Sequence, residues 1–440
     1  MTDALPLVMF AAIFILLLLG YPVAFTLGGV SVIFGLLTFG MNFFSLLPLR
    51  IWGIMTNYVL IAVPLFIYMG VMLEKSGLAE SLLETMAFLF GKLRGGLAIS
   101  VVIVGALLAA STGIVGATVV TMGLLSLPTM LKRGYSVELA TGTITASGTL
   151  GQIIPPSIVL VLLGSVMNVS VGDMFMGAVI PGFLLVSLYL VWIVIISIFK
   201  PQSAPAMPAA ELAHFRSTNM ARNIFSAFLL PFFLVIAVLG SIFAGIASPT
   251  EAAAVGAFGA TLLTLFQKKL NLQILKSVMR ETTYLTSMVF IILVGATAFG
   301  LVFRGMHGDD YLTRLILDNN LHQNTFLAVV MIVIFIVGFF IDFIEITFII
   351  VPVVMPIFQS MDVNLLWLGI LFAMNLQTSF LTPPFGFALF YLKGVAPPEV
   401  ATTDIYRGII PFIIIQLIAL MLVILFPEMA TWLPRYIAGN

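Results

Sequence analysis

The sequence predicts an all-α polytopic membrane protein, on the basis of its composition, the length of its apolar runs and a repeated pattern of prolines. Of the 440 residues, 61% are hydrophobic and only 8% are charged, whereas soluble domains contain roughly 25% charged residues. The apolar runs are continuous and exceed the strands of about 9–11 residues that build membrane barrels. A helical chain in contact with the lipid bilayer is therefore expected. The net charge of zero gives no sign of a nucleic-acid partner.

Ten apolar windows are predicted to be spanning helices, and two longer apolar regions to be re-entrant hairpins. The two regions, 95–131 and 325–358, carry polar residues at their midpoints, "ASTG" and "IDFIE". A loop in water between two spans would carry more charge than "ASTG" supplies, which favours hairpins that enter and leave on one side of the membrane. The predicted spans are 5–19, 21–39, 58–72, 139–168, 176–199, 223–244, 249–266, 283–302, 365–392 and 406–426.

Basic residues predict the orientation, because lysine and arginine favour cytoplasmic loops. With both regions as hairpins and the N-terminus outside, Arg50, Arg304, Arg314 and Arg435 lie outside, and the other 14 of the 18 basic residues lie inside. Both chain ends are then outside the cytoplasm. Treating either region as two spans leaves these sides unchanged, so the charges do not distinguish a hairpin from a pair of spans.

The two halves of the chain share a pattern of prolines. Five proline pairs recur in order at spacings of 227 to 230 residues, which predicts an internal repeat. Each predicted half holds five spans and one hairpin, and an odd number of crossings turns the second copy upside down. Inverted repeats with broken helices are typical of secondary transporters. The pairs are Pro22 with Pro249, Pro128 with Pro356, Pro155 with Pro383, Pro156 with Pro384, and Pro181 with Pro411.

Residues 201–222 form the only long polar linker, which is predicted to be cytoplasmic and to divide the chain into repeats at 1–200 and 223–440. Each repeat is expected to hold one hairpin followed by one broken helix. In the first repeat these are 95–131 and 139–168, and in the second they are 325–358 and 365–392.

Each broken helix contains a Pro-Pro pair, Pro155–Pro156 or Pro383–Pro384. Proline lacks a backbone N–H group and clashes with the preceding helical turn, and broken backbone at membrane depth is tolerated only beside protein or a water-filled cavity. Unwound carbonyls and hydroxyls suit a hard cation such as sodium. The alternative is a pair of structural kinks in which serine and threonine replace lost backbone bonds. The predicted sodium ligands are the polar or small residues before the prolines: Gly148, Thr149, Asn375, Thr378 and Ser379.

The midpoint of the first hairpin, Ser111, Thr112 and Gly113, is predicted to bind substrate. A tight turn there would present backbone N–H groups at a half-helix N-terminus, where partial positive charge suits an anion. Packing of small residues between helices is the alternative.

Asp342 and Glu345 are the only acids well inside an apolar window. A charge at the bilayer centre costs about 2.5–3.5 kcal/mol on insertion scales. At a spacing of three residues the two acids are expected to share a helix face. They are assigned to the substrate site, with proton or cation binding, or gating of the second hairpin, as their roles; a solvated hairpin tip is the alternative. Glu251, in "SPTE", is instead predicted to complete a structural capping box.

Five stretches of the chain together resemble the large membrane subunit of TRAP (tripartite ATP-independent periplasmic) transporters, and the resemblance covers nearly the whole chain. It implies that a periplasmic binding protein captures a carboxylate-bearing solute. This chain and a small four-helix membrane subunit would then import it with sodium across the bacterial inner membrane. The stretches are "VPLFIYMGVMLEKSGLAE", "GALLAASTGIVGATVV", "GYSVELATGTITASGTLGQIIPPSIVL", "SPTEAAAVGA" and "NLQTSFLTPPFGFALFYL".

The resemblance further implies an elevator mechanism, in which hairpins and broken helices move against a scaffold. Sodium is then the coupling ion, no bound cofactor and no enzymatic activity are expected, and both chain ends are periplasmic. Because the chain begins with the large subunit's first span, the small subunit is expected to be a separate polypeptide. The family's ion sites at hairpin tips and helix breaks correspond to Ser111, Thr112, Gly113, Gly148, Thr149, Asp342, Asn375, Thr378 and Ser379.

Three other functions fit the sequence less well. A single-component sodium–dicarboxylate carrier would share the architecture and differ in needing no binding protein. An intramembrane enzyme would need a nucleophile–base pair or a metal cluster at depth, but the chain has no cysteine and its three histidines fall in polar connections. A passive channel is disfavoured because hairpins and inverted repeats suit alternating access.

Single cysteines test the predicted orientation, because the natural chain has none. Cysteines at Lys200, Lys268 and Lys393 are expected to resist an impermeant thiol reagent in right-side-out cells, whereas one at Arg435 reacts. Labelling of the first three would contradict the inverted arrangement.

Overall fold

The computed structural model describes residues 4–112, 115–208, 228–318 and 322–439, without the side chains of 109–112 and 315–318. Within these ranges the chain forms 21 α-helices and no β-strand. The predicted all-helical fold class is therefore confirmed.

The described part of the first half contains ten α-helices. They are α1 (Leu5–Leu18), α2 (Val23–Phe39), α3 (Leu47–Met55), α4 (Ala62–Lys75), α5 (Leu78–Phe90), α6 (Gly96–Thr112), α7 (Val115–Lys132), α8 (Val137–Thr149), α9 (Ile158–Met167) and α10 (Val171–Phe199). Short 3₁₀ turns lie at Met41–Leu46, Tyr58–Ile61, Leu150–Gln152 and Pro201–Ser203.

The described part of the second half contains eleven α-helices. They are α11 (Leu230–Phe243), α12 (Pro249–Phe266), α13 (Leu272–Gly305), α14 (Gly308–Asp318), α15 (Gln323–Val337), α16 (Phe343–Ile349), α17 (Val351–Ser360), α18 (Leu365–Leu381), α19 (Phe387–Val395), α20 (Thr402–Leu425) and α21 (Glu428–Ala438).

The helix order of the first half recurs in the second. Helix α8 begins at Val137 and α18 at Leu365, 228 positions later (365 − 137). Helices α9 and α10 are followed at similar spacings by α19 and α20. The halves also pack reciprocally, since α2 lies against α13 while its counterpart α12 lies against α4. The domain boundaries and the inverted orientation of the halves stay predictions.

Six described helices are long and apolar enough to cross a membrane by themselves, and a seventh span is possible if α16 and α17, bent by 50°, act as one. Other predicted spans correspond to shorter apolar helices such as α1, α2 and α11. The six are Tyr58–Lys75, Val115–Lys132, Val171–Phe199, Pro249–Phe266, Leu272–Gly305 and Thr402–Leu425.

Each region predicted to be a hairpin is divided into helical limbs. Helices α6 and α7 contact each other. Helix α6 has 17 residues and α15 has 15, which correspond to about 22–26 Å at 1.5 Å per residue. A hydrocarbon core of about 30 Å exceeds this length, but α7, the second limb of the first region, is itself long and apolar enough to cross a membrane. Limb length therefore does not distinguish a hairpin from a pair of spans. Re-entrance itself stays a prediction.

Both Pro-Pro pairs lie where a helix stops. Helix α8 ends at Thr149 and α9 begins at Ile158, with Pro155 and Pro156 in the non-helical segment between them. Helix α18 ends before Pro383 and Pro384, and α19 begins after them. Both Pro–Pro peptide bonds are cis.

The beginning of the linker is bound to the first repeat. The N–H groups of Gly95 and Ser136 donate to the carbonyls of Ala204 and Ser203, at 2.9 and 3.0 Å. Met207 donates in turn to Gly91 at 2.8 Å. Residues 201–208 are therefore fixed against the turns that precede α6 and α8, while 209–222 lie outside the described residues.

The capping box predicted in "SPTE" is confirmed. The Ser248 N–H group donates to Glu251 Oε2 at 2.8 Å, and the Glu251 N–H group donates to Ser248 Oγ at 3.3 Å. Two N–H groups at the start of α12, which would otherwise be unpaired, are satisfied by this exchange.

Glycines bring α8 and α20 into backbone contact. A Cβ atom at Gly142 would collide with the carbonyl of Gly408, and one at Gly408 with the carbonyl of Glu138. Helix α8, which precedes the first break, is therefore fixed to a helix of the second half.

Replacing Gly142 by alanine is expected to destabilise the fold by about 1–3 kcal/mol, because the backbone opposite cannot yield as a side chain would. Thermal unfolding in detergent measures the loss. Gly240→Ala is the control, since nothing lies within 4 Å of its added Cβ. Equal melting temperatures for both variants would contradict the close contact.

Candidate functional site

The first break is surrounded by polar side chains buried in the protein. Ser147, Thr149, Gln152 and Ser157 are all 0% exposed. Their hydroxyls donate to the chain's own carbonyls: Thr149 to Ala146 at 2.9 Å, and Ser157 to Gln152 at 2.8 Å. The side chains thus satisfy carbonyls at the helix end, as the structural-kink alternative predicts. A hydroxyl that donates once still has lone pairs that can accept a hydrogen bond or bind a cation.

The second break has the same character. Thr378 and Ser379 donate to the carbonyls of Met374 and Leu376, each at 2.8 Å. Asn375 differs, because its Nδ2 donates at 2.7 Å to the carbonyl of Met331 in α15. Asn375 therefore fixes the broken helix to the first limb of the second hairpin.

Each broken helix lies directly against the region of its own half that is predicted to be a hairpin. A Cβ at Gly105 of α6 would lie 2.6 Å from Ser147 Cβ. A Cβ at Gly338, after α15, would collide with Ser379. Gly148 packs in the same way on Val119 of α7. The predicted ligands Gly148 and Ser379 thus lie at hairpin–break contacts.

The two breaks meet between Thr149 and Gln377. Gln377 Nε2 donates to Thr149 Oγ1 at 3.4 Å, and the two residues are 228 positions apart, which is the spacing of the repeat. The contact thus joins residues at equivalent positions of the two halves.

Gln152 and Gln377 leave buried amide atoms without a partner. Neither Gln152 Oε1 nor Nε2, nor Gln377 Oε1, has a hydrogen-bond partner among the described residues. Most buried polar atoms are paired, and an unpaired one calls for an unseen ion, a water or stored strain as explanation. These glutamines were not among the predicted ligands, although they belong to the same polar runs. No cluster of three or more His, Cys, Asp or Glu side chains suited to a metal occurs in the described chain, so an ion here would rely on neutral oxygens.

The tip of the first hairpin is only partly described. Ser111 and Thr112 form the end of α6, and Val115 begins α7. The side chains of Ser111 and Thr112, and all of Gly113, lie outside the described residues.

Asp342 and Glu345 form a second capping box and meet at the start of α16, with Asp342 preceding the helix rather than lying within it. Asp342 precedes α16 as its N-cap, and its Oδ1 accepts from the Phe343 N–H group at 2.7 Å. Glu345 Oε2 accepts from the Asp342 N–H group at 2.8 Å. The helix N-terminus, where partial positive charge accumulates, thus stabilises both half-buried carboxylates.

A cavity of about 540 Å³ lies between the two predicted hairpins. Val115 and Gly116 of the first hairpin line it opposite Asp342 of the second, and α4 and α13 close it. Its other charged residues are Glu74, Lys75 and Glu281. Lys75 Nζ pairs with Glu281 Oε2 at 3.1 Å, and Thr121 donates to Glu74 at 3.0 Å. Pockets for small ligands typically have volumes of about 300–1,000 Å³, so the cavity can hold a small organic molecule.

The DctM component of the tripartite ATP-independent periplasmic transporters is the family whose model matches this chain, over residues 10–429. The C4-dicarboxylate TRAP transporter large permease protein of Vibrio cholerae is 31% identical over 96% of each chain. The sialic acid TRAP transporter large permease protein of the same organism is 29% identical over 96% of this chain and 97% of its own. The Alcanivorax borkumensis YdaH transporter superimposes over 98% of both chains with a TM-score of 0.63 at 13% identity, which indicates a shared fold alone.

Gln152→Leu is expected to leave the thermal stability in sodium-free detergent unchanged or to raise it, because it removes an amide whose burial without partners costs about 1–3 kcal/mol. Gln416→Leu is the matched control. This third buried glutamine also has an unpaired Oε1, but its Nε2 donates to Tyr189 Oη at 2.8 Å, so its replacement should lower the melting temperature. A loss at Gln152 as large as that at Gln416 would show that the Gln152 amide is paired.

Proposed function

Because the chain belongs to the DctM family of TRAP transporter large permease subunits, we propose that it imports a carboxylate-bearing organic solute in symport with sodium. Membership of this family implies a multi-pass protein located in the bacterial inner membrane. The proposed partners are a periplasmic binding protein, which delivers the solute, and a small four-helix membrane subunit.

The relatives support the class of solute. Their names specify C4-dicarboxylate, sialic acid and ectoine, all of which carry carboxylate groups. Two C4-dicarboxylate permeases are each 31% identical to this chain, which makes succinate the first probe to test. The cavity of about 540 Å³ between the hairpins is large enough for each of these classes.

Sodium coupling rests on one observation above all: the unpaired Gln152 amide beside the break, with the unpaired Gln377 oxygen at the junction of the halves. Neutral oxygens can replace the water around a hard cation without the cost of burying several carboxylates. Each net positive charge that enters with the solute gains about 2.3 kcal/mol per 100 mV of membrane potential. Two sodium ions with one monoanion, or three with a dianion such as succinate, would carry such a charge inward.

The packing supports an elevator movement. Helices α2, α4, α12 and α13 form one reciprocal group, which we assign to the scaffold. The hairpins and broken helices form a second group, linked across the halves by α8 with α20 and by Thr149 with Gln377. Movement of the second group against the first would expose the solute alternately on the two sides.

Removing one hydroxyl at a break tests the sodium proposal. Thr149→Val and Thr378→Val nearly keep the side-chain shape, and each is expected to raise the sodium concentration for half-maximal uptake about fivefold, the effect of losing roughly 1 kcal/mol. The double variant should raise it further. Radiolabelled succinate uptake into proteoliposomes that contain the chain, the small subunit and the binding protein measures the effect.

Thr264→Val is the matched control, because Thr264 is equally buried and donates to its own helix at 2.9 Å but lies in α12.

Proteoliposomes with this chain alone should show negligible uptake, whereas a single-component carrier would transport without its partners. Asp342→Asn tests the rival possibility that a proton, rather than sodium, drives uptake. Uptake driven by a pH gradient without sodium, with the wild-type sodium response in both threonine variants, would contradict the proposal.

A further inference from the structure

A second cavity, of about 720 Å³, lies between α3, α9, α13 and α17. It involves the counterparts of the helices around the first cavity, since α9 and α17 repeat as α19 and α7. Val120 lines the first cavity and Phe348, 228 positions later, lines the second. The two cavities thus occupy related places in the two halves.

Helix α13 places the cavities at opposite ends of one membrane-crossing helix. Glu281, Leu285 and Met288 line the first cavity, whereas the lining of the second extends from Leu293 to Arg304 and Gly305. Glu281 and Arg304 are 23 positions apart, which corresponds to about 35 Å along the axis. Because this length exceeds a hydrocarbon core of about 30 Å, the charged residues of the two cavities face opposite sides of the bilayer.

The charges of the two cavities have opposite signs. Arg50 and Arg304 line the second cavity, with Asp309 as its only acid among the described residues. The first cavity contains three acids and Lys75, which is already paired with Glu281.

The two arginines are available to a ligand. Both side chains are exposed, and neither guanidinium has a hydrogen-bond or ion-pair partner in the described parts of the chain. Arg304 Nη2 lies over its own helix, 3.9 Å from where a Cβ of Gly300 would be. Asn57, which donates to Ser165 at 3.4 Å, adds a neutral polar group to the same wall.

We propose that the second cavity is the vestibule in which this chain receives the carboxylate of its solute, held by Arg50 and Arg304; this inference rests on the proposed function. Guanidinium groups bind carboxylates through paired N–H donors, and a recess lined by one sign of charge raises the local concentration of the opposite ion. Both arginines belong to the four basic residues predicted outside. The acidic cavity on the other side then favours release of an anion.

The reaction rates of a cysteine with charged thiol reagents report the electrostatic potential in the vestibule and require no transport. The natural chain has no cysteine, and Gly53, one helical turn from Arg50, lines the cavity with nothing within 4 Å of an added Cβ. Full-length Gly53→Cys in neutral detergent is treated with a sulfonate-bearing and a trimethylammonium-bearing thiosulfonate. We expect the anionic reagent to be favoured relative to its reaction with a free thiol. Adding Arg50→Gln or Arg304→Gln should lower that preference about threefold or more.

Two control variants accompany this measurement. Ala117→Cys, in the first cavity, should prefer the cationic reagent. Arg435→Gln removes an exposed arginine that is also predicted outside but lies far along the chain in α21, and it should leave the Gly53→Cys preference unchanged. An unchanged preference after removal of Arg50 and Arg304 would overturn the proposal.

Uptake measurements then test whether the vestibule receives the solute. In proteoliposomes with both partners, Arg50→Gln and Arg304→Gln are each expected to raise the KM for succinate about fivefold with a nearly unchanged maximal rate, and more so at low salt. Both variants should keep the sodium dependence of the wild type. If the sodium proposal fails, the wild type and the variants alike will take up succinate without sodium, and the KM comparison still tests the vestibule. An unchanged KM overturns the vestibule, as does an effect that follows only the anionic lipid content, which would assign the arginines to lipid phosphates.

Discussion

A backbone that leaves its helix inside a membrane must find every hydrogen bond within the protein, because the lipid offers none. The arrangement around the two Pro-Pro breaks follows from this constraint. Ser157 and Thr382 donate to the carbonyls of Gln152 and Thr378 at 2.8 Å. Hairpins cover the breaks closely enough that glycine is required at Gly105 and Gly338. What the breaks still leave unpaired is therefore confined to a few side-chain atoms, with Gln152 foremost among them.

The same constraint explains how acids are placed at depth. Asp342 and Glu345 are held by N–H groups at the start of α16, so their charge compensates a helix end rather than standing isolated in an apolar surrounding. Lys75 and Glu281 neutralise each other across two helices of the scaffold group. Arg50 and Arg304 are the contrasting case, since they line a cavity and no described residue compensates them. In this molecule the unpaired charges, and not the buried paired ones, indicate where a ligand can act.

Local patterns in the sequence predicted much of this structure. The fold class and the family are confirmed, because composition, apolar runs and short motifs indicate them. The capping box at Ser248 and Glu251 is confirmed as well, because it depends on neighbouring residues alone. "DFIE" carries the same capping signature as "SPTE". Because Asp342 lies in an apolar window, its charge favoured a role in substrate binding over a role as a helix cap. The contacts of Gln377 with Thr149 and of Gln416 with Tyr189 join residues 228 and 227 positions apart. No local pattern specifies such contacts, so the sequence placed Gln152 and Gln377 in the polar runs at the breaks but gave no reason to choose them as ligands.

The reciprocal packing of the halves also has a consequence for biosynthesis. Tyr68 of α4 meets Thr261 of α12, 193 positions later, and Gly77 meets Lys269 at a separation of 192. At about 5–20 residues per second, a ribosome adds the second partner roughly ten to forty seconds after the first. During that interval the helices of the first half are in the membrane without the surfaces they will finally contact. Lipid, or another protein, must cover those surfaces until the second half arrives.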